Sequence, residues 1–68
     1  MRKLVLENWD DTMAWLKVHG EEVGADNSTE ALAIKQAYSL FYRKPENAAL
    51  GLLMGAIEAY AEVKEVNE

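Results

Sequence analysis

The chain has 68 residues, half of them hydrophobic, and its twelve acidic against seven basic side chains leave a net charge of −5. A chain this short forms one domain with a thin core, and without cysteine it has neither disulfides nor thiolate metal sites to support it. The acidic balance points away from nucleic acid, whose binding rests on phosphate neutralisation, and away from anionic membrane surfaces, while the apolar half argues against disorder.

The opening stretch "RKLVLE" reads in two ways. Alternation puts Leu4 and Leu6 on one side and Lys3, Val5 and Glu7 on the other, as in a strand. Val5 and Leu6 also extend the following helical stripe backwards, and a run this short cannot be assigned by periodicity alone. With three apolar residues between Lys3 and Glu7 it does not make a signal peptide.

A first helix is predicted over roughly Asn8–Val23, with Trp9, Met13, Leu16, Gly20 and Val23 on one face and Asp10, Ala14, Lys17 and Glu21 opposite. Trp15 and His19, one turn apart, flank the apolar stripe. An aromatic at such an edge suits a partner anchor as well as the rim of a core. The boundary "EVGADNSTE" follows. Gly24 is expected to end the helix in the left-handed conformation, and Asn27 or Ser28 to cap the next. Asn27 with Glu30 has the spacing of a capping box.

The second helix, about Ser28–Lys44, gathers Ala31, Ile34, Ala37, Tyr38, Phe41 and Tyr42 on one face. Pro45 then breaks the run and suits the first position of a third helix, with Glu46 favouring its positive end. That helix, about Pro45–Val66, has Leu50, Leu53, Ile57 and Tyr60 on one side and Leu52, Ala56, Ala59 and Val63 on another. Only a strip carrying Asn47, Glu58, Glu62 and Glu65 is polar. A helix apolar around most of its circumference expects neighbours on more than one side. Its longest apolar run, residues 48–57, is far shorter than the roughly 20 residues of a membrane span.

Gly51 and Gly55 interrupt this helix although each costs about 0.8–1 kcal/mol relative to alanine. With Ala59 they clear a groove at four-residue spacing through which a second helix backbone can approach closely. The expected interface of a homodimer is Gly51, Gly55 and Ala59 with Leu52 and Val63. A crossing of the first or second helix at the same groove is the alternative.

No catalytic, cofactor or metal site is expected. Ser28 and Ser39 lack a nucleophile turn, and Ser28 reads as a cap. A zinc site built on His19, the sole histidine, would need carboxylates for its other protein ligands. The clusters Glu21, Glu22, Asp26 and Glu58, Glu62, Glu65 lack calcium-loop spacing and read as solvated faces, or as a surface for a basic partner.

Two stretches resemble known families. "VGADNSTEALAI" resembles the segment around the prosthetic-group serine of acyl carrier proteins. Here Asn27 separates the Gly-Ala-Asp from Ser28, and Thr29 stands where that family has an apolar residue, so cap chemistry accounts for the match. The order of a short N-terminal segment, a helix, a glycine-containing turn and a helix opening near a serine resembles ribbon-helix-helix repressors. That resemblance implies strand-mediated dimers reading DNA from residues 2–7, with Arg2 and Lys3 as the basic pair. Neither alternating set of side chains in "RKLVLE" makes a polar reading surface, and the third helix is extra.

The sequence thus predicts an all-α, three-helix domain spanning residues 1–68, completed by dimerisation. The functional expectation is a cytoplasmic, non-enzymatic interaction or regulatory protein that binds another protein. Trp15 and His19, or Glu58, Glu62 and Glu65, are its expected partner surface. A DNA-binding regulator is the alternative.

Overall fold

In the computed structural model, which describes residues 6–64, three helices follow one another: α1 Trp9–Ala25, α2 Thr29–Arg43 and α3 Asn47–Lys64. The all-α class and the number of helices agree with the pattern in the sequence. Residues 2–5 of "RKLVLE", and Glu65 and Val66 of the expected third helix, lie outside the described residues.

Local chemistry sets each helix end. The Asn8 side chain accepts the Asp11 N–H at 2.9 Å, and Asp11 in turn accepts the Glu7 N–H at 3.3 Å. Asp10 and Asp11 also place negative charge where the helix dipole is positive. The expected stop at Gly24 does not occur. α1 runs one residue further, to Ala25, and closes on Asp26, whose backbone is extended at φ −90° rather than left-handed and whose N–H reaches the Val23 carbonyl at 3.1 Å. What ends α1 is the next turn. The Asp26 carboxylate accepts the Ser28 N–H at 2.8 Å, which holds the chain extended ahead of α2. Ser28, not Asn27, is the cap of α2, accepting the Ala31 N–H at 3.3 Å. Pro45 likewise stands before α3 rather than within it. The Glu46 carbonyl accepts the first helical N–H, that of Leu50 at 2.9 Å, so the helix begins at Asn47.

Asp26 is also where the three helices are tied together. Its carbonyl accepts Lys35 Nζ of α2 at 3.0 Å, and its carboxylate meets Lys64 of α3 at 3.3 Å. The backbone hydrogen bond from Ser28, helped by Lys64, lowers the Asp26 pKa below its ordinary value.

The core forms where α3 lies along α2, with α1 closing one side. Leu53, Ile57, Tyr60 and Ala61 of α3 pack with Ala31 and Ile34 of α2 and with Trp15 and Val23 of α1. Of the expected inward side of α3, Leu53, Ile57 and Tyr60 are 0% exposed and Leu50 is half-buried. The face of α1 differs from expectation. Thr12 and Trp15 are buried instead of Met13 and Gly20, because Trp15 and Tyr60 pack edge to face (5.9 Å between centroids, planes at 84°). Thr12 is tolerated inside because its hydroxyl donates to the Asn8 carbonyl at 2.9 Å. The stripe Met13, Leu16 and Gly20 turns instead toward an open trough between α1 and α2.

In α2 the expected core face narrows to Ala31 and Ile34, with Ala37 and Phe41 half-buried. Phe41 meets Trp9 at 4.3 Å, which closes the far end of the α1–α2 pair. Tyr42 is 77% exposed and stacks on Tyr38, centroids 6.4 Å apart, so that pair faces solvent and not the core.

Candidate functional site

Because the inward side of α3 is used up by the core, its second apolar side is left outside. Leu52 is 59% and Val63 58% exposed, and Gly51, Gly55 and Ala59 are exposed between them. All five residues expected at a dimer interface therefore lie at the surface. The alternative, in which α1 or α2 crosses the glycines, is excluded. A Cβ built on Gly51 or Gly55 meets nothing within 4 Å. Leu52 and Ala56 continue across a shallow trough of about 350 Å³ to Ala33, Gln36, Ala37 and Leu40 of α2. Leu40 is itself exposed, so the apolar face spans two helices. Contiguous exposed apolar residues of this kind mark association surfaces more often than scattered ones do.

The Trp15–His19 edge folds inward. Trp15 is only 6% exposed, its ring lies 4.6 Å from that of half-buried His19, and its indole N–H finds no acceptor among the described residues. Glu22 sits beside the pair. One carboxylate oxygen lies 3.7 Å from His19 Nδ1, and the other accepts the Tyr60 hydroxyl at 3.1 Å. Glu22 thus joins His19 to Tyr60, while Trp15 meets both rings directly and offers no projecting anchor.

Burial, and next the Glu22 carboxylate, pushes the Tyr60 phenol from 10.0 up to about 12. An unfolded chain releases this proton near the ordinary value, so the folded state holds it more tightly. That stability is fully present below about pH 10 and is lost as pH rises through 12. We expect the melting temperature to fall across this window, and to fall less in Tyr60→Phe. A parallel decline in both proteins, measured by circular dichroism, would exclude Tyr60 as a source of the alkaline sensitivity.

The acidic strip of α3 divides. Glu58 is half-buried and accepts the Leu6 N–H at 3.2 Å, so it holds the N-terminal segment against α3. This contact spans 52 positions in sequence and has no local signature. Leu6 itself is buried. Glu62 is exposed, and Glu65 lies outside the described residues. Arg2 and Lys3, which the ribbon-helix-helix resemblance would use, also lie outside them.

Among the described residues no three His, Asp or Glu side chains converge as a metal site. Ser28 is engaged as a helix cap. No described helix is long and apolar enough to cross a membrane. The chain matches no protein-family model, curated protein or solved structure.

Proposed function

We propose that this chain is a non-enzymatic, acidic interaction or regulatory protein of the cytoplasm that acts as a homodimer, with the outer face of α3 meeting the same face of a second copy. The observation that carries this reading is the bare Gly51–Gly55–Ala59 stripe flanked by exposed Leu52 and Val63. The two glycines weaken α3 and make room for nothing among the described residues, which supports an intermolecular use.

A two-fold axis at Gly55 gives the self-complementary patch that a closed dimer requires. Antiparallel α3 helices would then set Gly51 opposite the partner's Ala59. The same arrangement carries Glu62 toward the other copy's α3 N-terminus and toward Arg43 and Lys44, where both dipole and charge are favourable. Burial of a continuous apolar face also answers the thin core of a 68-residue chain.

Sedimentation equilibrium of the wild type and Gly55→Leu across a concentration series tests the reading. The wild type is expected to dimerise, and the variant to remain helical but monomeric. No described residue lies within 4 Å of a Cβ at Gly55, so the folded chain is expected to accept the leucine while a second copy packed at the stripe would not. A wild-type monomer at all concentrations would sink the dimer.

A further inference from the structure

The trough between α1 and α2 is a second apolar surface, separate from the outer face of α3. Its volume is about 570 Å³, within the roughly 300–1,000 Å³ of small-molecule sites. Met13, Leu16 and Val23 line one wall, and Ile34 and Tyr38 the other. Gly20 and Gly24 keep the α1 wall low, since a Cβ at either meets nothing within 4 Å. From Met13 to Gly24 the trough follows α1 for about 16 Å.

Charge separates this trough from the rest of the protein. Among the described residues no acidic side chain lines the trough, and its titratable groups are Lys17, Lys35 and the Tyr38 phenol. The Lys35 amine is held by the Asp26 carbonyl at 3.0 Å. Lys17 is exposed, and no hydrogen bond or ion pair ties it to another described residue. An elongated apolar bed with an uncommitted ammonium at its rim suits one long apolar chain ending in a single negative charge.

We propose that the α1–α2 trough binds a single-chain carboxylate amphiphile, its acyl chain along Met13, Leu16 and Val23 and its carboxylate on Lys17. The apolar chain supplies the affinity, through the area that it and the trough remove from water. The ion pair supplies the choice of head group. This inference is independent of the dimer, which uses the outer face of α3, a helix that contributes no lining residue to the trough.

Calorimetric titration with dodecanoate below its micelle concentration, with dodecanol and dodecyltrimethylammonium as controls, provides the test. Dodecanoate is expected to bind saturably, one per chain. Dodecanol should bind about tenfold more weakly, as should dodecanoate to Lys17→Met, matching the loss of one charge-assisted contact. The cationic amphiphile should not bind.

Gly20→Leu, which fills the trough, is expected to abolish binding. Tyr38→Glu, at an exposed position, is expected to weaken it strongly even if the leucine variant does not fold. Failure of dodecanoate to saturate the wild type overturns the proposal, and so does equal binding of the acid and the alcohol. Dissociation of a wild-type dimer by Gly20→Leu in sedimentation equilibrium would also overturn it, by making the trough an interface between copies. Loss of the dimer in Gly55→Leu leaves dodecanoate binding unchanged, so the two readings fail separately.

Discussion

Tyr60→Ala is expected to unfold most of the protein at room temperature. The side chain is fully buried, and removing an aromatic of this size from a packed core costs about 3–5 kcal/mol. A chain of this length has only about 3–10 kcal/mol in total to lose. Two features place Tyr60 at the upper end of that range. Its ring packs edge to face with Trp15, centroids 5.9 Å apart, and that contact is a principal bond between α1 and α3. Its hydroxyl also ties Glu22 of α1 at 3.1 Å. Tyr60→Phe separates the two, because it keeps the ring and loses only the hydroxyl. Since Glu22 is exposed and can return to water, that variant should cost about 1 kcal/mol. Urea unfolding followed by circular dichroism reads both. Equal destabilisation by Ala and Phe would mean that the hydroxyl, and not the ring, holds α1 in place.

The double variant Gly51→Ala/Gly55→Ala should move in the opposite direction. Each replacement removes the backbone-entropy penalty of a mid-helix glycine, worth about 0.8–1 kcal/mol. Neither new methyl group meets an atom of the described residues within 4 Å. The folded monomer should therefore gain about 2 kcal/mol, or roughly 8–16 °C in melting temperature for a domain of this size. The same methyl groups would stand between two α3 helices packed at the stripe. Association should weaken while the monomer becomes more stable, so melting at low and high protein concentration should shift by different amounts. A uniform gain at every concentration would show that the stripe is not where two copies meet.

The inner face of α3 was legible in the sequence because Leu53, Ile57 and Tyr60 are large, apolar and spaced at three or four residues, which leaves one direction in which to bury them. Its outer face was legible for the complementary reason. Apolar residues covered most of the circumference, and two short helices could not cover them all. The sequence therefore determined three helices, the core side of the third, and an unsatisfied face beside the glycines. It left open whether that face met another part of the same chain.

Tertiary structure decided the rest, because the deciding contacts are non-local. α1 offers apolar side chains in several directions, among them Trp9, Met13, Trp15, Leu16 and Val23. Which of them turned inward depended on Trp15 meeting Tyr60, 45 positions away in the chain. Gly24 allowed a left-handed stop without requiring one, and the Asp26–Ser28 turn, braced by Lys35 and Lys64, ended the helix instead. Glu58 read as one of a row of solvated acids until Leu6 was placed against it. The trough beside Lys17 had no sequence signature, since it is the space left when α1 turns Trp15 toward Tyr60 and leaves Met13, Leu16 and Gly20 only partly covered. Periodicity states how many apolar faces a helix has, and only packing states which of them are filled.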